Sequence, residues 1–261
     1  MYKVGISTAS MYGKMYTEDA LEFYAKNNVD CAEVFLASFS EYTESFGKEL
    51  LKRKGDTEVY SIHTLNSKFE GQLFARSERQ YKDALEIFTS ALNVGKMLDA
   101  KVYVMHGPAQ MKYTKYVTNY EFFGARTAEL YRIAKDYGIT LTWENVHWAH
   151  YNHPQFMRNL RAYCPEPVGC TLDIKQAAQS GVTADKYIED MDGNIKNIHV
   201  LDMAEDGKLL LPGKGCFDFK ALIDRVGDYS GRVMIEVYDG SFTKPEELIE
   251  SYVWLKSELG K

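Results

Sequence analysis

Cysteine is scarce in this chain of 261 residues, and its placement suits neither metal nor redox work. Cys31, Cys164, Cys170 and Cys216 form no CxxC pair, and the nearest two, Cys164 and Cys170, stand six apart. Neither a zinc knuckle nor a thioredoxin-like motif is indicated, and a reduced, cytoplasmic protein is the expectation. Proline numbers only 6, with no Pro-rich or Ser-rich stretch. No linker presents itself, so residues 1–261 are expected to form a single domain. No apolar run nears the roughly 20 residues that a membrane-spanning helix needs. The opening MYKVGISTAS enters a strand pattern without the apolar stretch and cleavage site of an export signal. Excess positive charge is missing as well: 31 Lys plus Arg face 37 Asp plus Glu, a net of -6. Such a chain is not built to hold a polyanion, which argues against nucleic acid as the partner.

What is present is a regular alternation. Short β-rich runs recur as YKVGIS, CAEVFL, VYSIH, KVYVMH, ITLTWE, PVGCTLD, IKNIHVLD and RVMIEVY. Between them lie segments with helical periodicity and polar faces. YTEDALEFYAKNN carries a threonine suited to capping its start, ARSERQYKDALEIFTSALNVGKMLDA is long and amphipathic, and FFGARTAELYRIAKDYG closes on the glycine expected at a helix end. ADKYIEDM, DFKALIDRVGD and KPEELIESYVWLKSEL follow the sixth, seventh and eighth runs. Strand alternating with helix eight times predicts an α/β fold, a (β/α)8 TIM barrel. A doubly wound sheet would want a GxGxxG turn after its first strand, and there is none.

In such barrels, residues at the C-terminal ends of the strands converge around the axis. The fifth run ends on Glu144, the sixth on Asp173, the seventh carries His199 near its end and the eighth Glu236. His63 and His106 close the third and fourth, so all six side chains can look into one pocket. A lone Glu at a strand end is ordinarily the first solvated residue of a loop. Four ligand types at four consecutive ends are harder to obtain that way. Three carboxylates and an imidazole suit Mn2+, Co2+, Mg2+ or Zn2+, and the carboxylates would repel one another without a cation between them.

In their order, YSIHTL, YVMHGP, LTWEN, CTLDIKQA, NIHVLDM, PGKGCFDF and MIEVY resemble the sugar phosphate isomerase/epimerase superfamily of xylose isomerase-like TIM barrels. The resemblance implies one divalent metal ion held by Glu144, Asp173, His199 and Glu236, with Glu144 and Glu236 also serving as catalytic acid and base. It implies a cytoplasmic isomerase or epimerase of carbohydrate metabolism, acting on a small-molecule sugar or sugar phosphate through a metal-stabilised enediolate. Dimers and tetramers are common among the epimerases it resembles, which makes a homodimer or homotetramer the corresponding expectation. An inosose-type dehydratase would use the same metal and proton abstraction. The endonuclease IV-like AP endonucleases share the scaffold with three zinc ions, the first at a site like His63, His106 and Glu144. Against that branch, Gln176 stands where it carries a histidine, and LPGKGC around Lys214 replaces its Asp-Arg-His motif. Epimerases of this superfamily also often place a histidine at the Gln176 position.

The expected substrate contacts are His63, His106, His147, Trp148, Gln176 and Lys214. Gln176 offers a hydrogen bond to a hydroxyl, and Lys214, flanked by the Gly213 and Gly215 amides, offers a seat for a phosphate or carboxylate. The loop ENVHWAHYNHP packs His147, Trp148, His150, Tyr151 and His153 before Pro154. Its histidine spacing fixes no metal geometry, so the loop reads as a pocket wall with Trp148 placed to stack on a sugar face. Tyr12 and Tyr16 add to that wall from across the ring. Glu33, in CAEVFLA, reads as a structural hydrogen-bonding residue, with a tether to a neighbouring histidine as the alternative.

Overall fold

Eight parallel strands close on themselves into a barrel, the first in the chain hydrogen-bonded to the last. The computed structural model describes residues 2–65, 69–110, 117–238 and 240–260. The barrel strands are β1 (Lys3–Ser7), β2 (Cys31–Leu36), β3 (Glu58–Thr64), β4 (Val102–Met105), β5 (Thr140–Glu144), β6 (Gly169–Asp173), β7 (Ile195–Val200) and β10 (Arg232–Ile235). A small antiparallel pair, β8 (Asp202–Met203) with β9 (Leu209–Leu210), stands apart from the barrel. The strands are buried almost throughout because helices cover the outside and side chains fill the lumen, so their sequences show apolar runs rather than clean alternation.

The expected helices appear as α1 (Thr17–Lys26), α3 (Glu78–Met97), α4 (Tyr120–Asp136), α7 (Ala184–Met191), α8 (Phe219–Val226) and α9 (Pro245–Leu259). Gly138 takes φ 77 just beyond α4, as a helix-ending glycine should. Three helices were not picked out by pattern: α2 (Glu44–Arg53), α5 (Phe156–Arg161) and α6 (Ile174–Gln179). The cap expected of a threonine at α1 is also corrected. Tyr16 is the N-cap and makes no side-chain cap bond, while the Thr17 hydroxyl donates to the Phe35 carbonyl at 3.0 Å and ties α1 to β2. Among the described residues, no helix is long and apolar enough to cross a membrane.

Packing outside the barrel sets what points inside it. Trp143, fully buried, lies among the rings of Phe74, Phe156 and Phe123, with centroids at 5.3, 5.2 and 6.4 Å, and its Nε1 donates to Thr127 Oγ1 at 3.3 Å. Successive side chains on a strand point to opposite faces, so anchoring Trp143 outward sends Glu144 into the lumen. Gly107, directly after His106, has φ 70, and a Cβ there would run into the Trp143 ring. Only glycine lets the chain turn over Trp143 and still leave His106 at the mouth.

The lumen beneath the strand ends is polar, where barrels of this kind commonly stack branched aliphatic side chains. Glu33, fully buried, accepts hydrogen bonds from Ser7 Oγ at 3.0 Å, Ser61 Oγ at 2.7 Å and Asn197 Nδ2 at 2.9 Å. Thr142 and Thr171 pair across β5 and β6 at 2.8 Å. Irregularities in strand register fall at Ala32/Glu33 and Cys170/Thr171, next to this layer.

Candidate metal centre

Glu144, Asp173, His199 and Glu236 each present a ligand atom, and these atoms lie within 4.8 Å of one another at the C-terminal mouth of the barrel. All four are buried, Glu236 least so at 6 % exposure. His199 stands at the centre: its Nδ1 is 2.7 Å from Glu236 Oε2, 3.5 Å from Glu144 Oε1 and 3.9 Å from Asp173 Oδ2. Yet His199 Nδ1, Glu236 Oε2 and Glu144 Oε2 take part in no hydrogen bond of acceptable geometry among the described residues. Buried polar atoms that converge without hydrogen bonds are what a bound cation explains. On the other side of the ring, His199 Nε2 is 3.0 Å from Glu33 Oε2. A proton on Nε2, donated to Glu33, leaves the Nδ1 lone pair for an ion, so the donor set fits a divalent metal. Glu33 therefore does both things weighed for it, joining the lumen network and tethering a histidine.

Asp173 is held by three bonds that owe nothing to an ion. Its Oδ1 accepts the Gln176 amide at 2.8 Å and so caps α6. Asn145 clamps its backbone: Asn145 Nδ2 donates to the Asp173 carbonyl and the Asp173 amide donates to Asn145 Oδ1, both at 2.8 Å. A helix that begins on a candidate ligand, and is only one turn and a half long, has too little periodicity to be seen in sequence.

A second group shares Glu144. His63, His106 and Glu144 also bring ligand atoms within 4.8 Å, with 3.0 Å between the two histidine Nε2 atoms and 3.1 Å from His106 Nε2 to Glu144 Oε2. His106 is positioned from behind by Glu70, a residue that nothing in its local sequence singles out. Glu70 is fully buried and accepts from the His106 and Gly107 amides, at 2.9 and 3.2 Å, and from the Tyr103 hydroxyl at 3.0 Å.

These strand ends floor a cavity of about 610 Å³ whose lining includes Glu144, Glu236, His63, His106 and Gln176, with Tyr12, Phe35, Trp148 and Tyr238 as aromatic walls. Trp148 meets His106 edge-on at 5.2 Å between centroids. A larger depression, about 800 Å³, lies among Tyr2, Lys3, Asp30 and Lys256 at the opposite end. There Lys256 and Asp30 already satisfy each other at 2.6 Å, and none of the converging ligand side chains lines that depression.

Other candidates fall elsewhere. Lys214 is exposed and does not line the cavity. The Gly213 and Gly215 amides both donate to Asp202 Oδ2 at 2.9 Å, while Met203 and Phe217 amides donate to Asp202 Oδ1 at 2.8 and 2.9 Å. The loop that looked like an anion seat is thus filled by the chain's own carboxylate, which corrects that expectation. His147 lies outside the cavity lining, its Nδ1 2.6 Å from Gln176 Oε1. It contacts the cavity through Gln176, whose Nε2 is 3.5 Å from the Tyr238 hydroxyl. His150 and His153 diverge, Nδ1 of the first to Thr118 Oγ1 at 2.9 Å and Nε2 of the second to the Tyr120 hydroxyl at 3.3 Å. Tyr16 lines a neighbouring groove that also includes Tyr12.

The chain's residues 20–258 match the family model described as xylose isomerase-like TIM barrel. The chain belongs to this family. Among solved structures of the same fold, it is similar to a D-tagatose 3-epimerase-like protein, at 22% identity over 99% of this chain and 97% of that one, with a TM-score of 0.78. It is similar to the IOLI protein with a binding zinc atom, at 18% identity over 98% and 97%, TM-score 0.78. It is also similar to D-psicose 3-epimerase with D-tagatose from Clostridium cellulolyticum H10, at 16% identity over 99% and 98%, TM-score 0.77. A search of curated proteins by sequence finds no match.

Electrostatics distinguish the four residues of this barrel's mouth. Burial raises the Asp173 carboxyl, with Lys175 opposing and Glu144 and Glu236 adding, and it is pushed up to about 7. Burial opposes a charge on His199, but the carboxylates of Glu33, Glu236 and Glu144 prevail and hold its pKa well above the ordinary value. Burial also opposes ionised Glu144 and Glu236. His106 and His199 overcome it at the first, Lys175 and His199 at the second, and both sit below the usual carboxylate range.

A pH effect follows. Asp173 and His199 both have folded values above their ordinary ones, 3.8 and 6.5, so their stabilisation is present at low pH and is lost as pH rises through the folded values. The chelated protein is expected to melt at a lower temperature as pH climbs from about 6 to 8. Saturating Mn2+, which needs both groups deprotonated, should flatten that slope or reverse it. A melting temperature that rises across this window in chelator would contradict the assignment.

Proposed function

We propose that this chain is a divalent-metal-dependent isomerase or epimerase of a sugar or sugar-derived ketone. One observation carries the reading: four buried ligand side chains converge with unsatisfied polar atoms, and two of them, Glu144 and Glu236, line a cavity walled by aromatic rings. A divalent ion held by Glu144, Asp173, His199 and Glu236 would supply Lewis acidity to a substrate carbonyl oxygen.

The remaining chemistry falls to the chain's own groups. Glu144 and Glu236 both line the cavity and both favour the ionised form, the state in which a carboxylate removes a proton from carbon. With one taking the proton and the other returning it, a stereocentre beside the carbonyl can invert through an enediolate. His106, 3.1 Å from Glu144, and His63 behind it line the same wall and are placed to hydrogen-bond substrate oxygens. Trp148, Phe35 and Tyr12 offer flat apolar faces of the kind that pack on the C–H side of a sugar ring, and they restrict water around the reacting carbon. The solved structures of the same fold described as a D-tagatose 3-epimerase-like protein and as D-psicose 3-epimerase with D-tagatose support a carbohydrate as the substrate class.

Dehydration of an inosose-like ketone would start with the same proton abstraction and differ only in what leaves. The His63, His106 and Glu144 group favours a second reading, phosphodiester cleavage with more than one ion. Elemental analysis of protein purified without chelators, followed by incubation of ketoses in deuterated water, separates these. About one divalent ion per chain with deuterium entering at a carbon next to the carbonyl is expected; loss of water marks the dehydratase, and close to three zinc ions marks the nuclease. No ion in protein as purified or after re-supply would sink the proposal.

A further inference from the structure

Lys175, the second residue of α6, is as buried as the ligands beside it, at 1 % exposure. Its Nζ lies 3.4 Å from Asp173 Oδ2 and 3.7 Å from the centre of the Tyr238 ring, and no acceptor meets it in hydrogen-bond geometry among the described residues. An ammonium buried this way is costly unless charge offsets it. Asp173 Oδ2 is also the atom that faces His199 Nδ1, at 3.9 Å, so the cation sits directly behind the candidate metal centre.

Two roles are open to such a neighbour, and the structure chooses between them. A group that orients a ligand weakens metal binding when removed. Orientation of Asp173 is already complete, however, through the Gln176 amide on Oδ1 and the Asn145 clamp on the backbone. What Lys175 adds is charge. A positive charge beside a ligand oxygen repels a divalent ion, and its removal should tighten binding.

We propose that Lys175 is a positioning residue that sets the net charge of the centre, loosening its hold on a divalent ion so that the centre can receive negative charge from substrate. This rests on the metal reading above. Three carboxylates and a divalent ion leave the ligands with an excess of negative charge, to which the buried carboxylate of Glu33 adds from beyond His199, and the ammonium of Lys175 offsets part of it. Proton removal from carbon delivers further negative charge to a substrate oxygen at this place, which a more negative centre opposes more strongly. Neither Lys175 nor its partner Tyr238 is singled out by the sequence, although they lie in the runs CTLDIKQA and MIEVY.

The test is calorimetric titration of the full chain with MnCl2 after chelator removal, comparing the natural protein with Lys175→Met and Lys175→Gln. Both variants should bind Mn2+ about tenfold more tightly. Both should also melt lower than the natural protein in chelator, where the ligand carboxylates lose a fixed buried ammonium, and gain more on adding Mn2+. Lys175→Gln keeps a polar group in place and carries the test if the methionine variant does not fold. Equal or weaker Mn2+ binding in a folded variant overturns the proposal. A natural protein that takes up none of Mn2+, Co2+, Mg2+ and Zn2+ overturns the metal reading itself, and this inference with it.

Discussion

The Glu144→Gln protein is expected to remain folded, to lose Mn2+ affinity by tenfold or more, and to exchange substrate carbon protons about a thousandfold more slowly or not at all. Glutamine keeps the volume that Trp143 packing presents to the lumen, so the barrel has no reason to rearrange. What disappears is one carboxylate of the candidate ligand set and, in the same atoms, the proposed proton-transfer group, held in its ionised form by His106 and His199. Circular dichroism establishes the fold, calorimetric titration the affinity, and deuterium incorporation the rate. A Glu144→Gln protein that binds Mn2+ normally and still exchanges protons at the natural rate would remove Glu144 from both roles.

The second large effect is expected at Glu33→Ala. This carboxylate does not itself line the cavity, yet it receives Ser7, Ser61, Asn197 and His199 at 3.0, 2.7, 2.9 and 3.0 Å. Burial would raise its pKa; the charge and hydrogen bond of His199, with those of His63, outweigh burial and keep it ionised. Truncation removes the shared acceptor of four buried donors and leaves His199 without the carboxylate that fixes its ring. The expected costs are about 3–5 kcal/mol of stability and a 10- to 100-fold loss of ion affinity, these being about what breaking a buried ion pair and deleting a ligand's outer partner produce. Urea denaturation in chelator measures the first and Mn2+ titration the second. A variant within 1 kcal/mol of the natural protein, in the ~1 kcal/mol range of an ordinary substitution, with unchanged ion affinity would show the contact to be idle.

Much of this architecture could be read from the chain because the relevant signals are local. ITLTWE and PVGCTLD read as strands because both faces are covered, and their last residues read as ligands because a strand end in a barrel is also a site position. The four-residue set Glu144, Asp173, His199 and Glu236 comes together in space as those positions imply. The short helices α5 and α6 carry no legible signal, since six residues hold too few turns to show a period. The loop at Lys214 differs for another reason: PGKGC has the composition of an anion seat, and only the fold shows Asp202 occupying it.

By itself the sequence determined the order of strands and helices and which side chains stand at the strand ends, since hydrophobic period and turn residues act over a few neighbours. Tertiary structure alone decided which buried charges meet. Glu33 reaches His199 across 166 positions, Glu70 supports His106 across 36, and Lys175 lies under a tyrosine from the last barrel crossing. A buried charge is tolerated only where closure of the barrel brings it a partner, and that pairing is a property of the closed ring rather than of any segment in it.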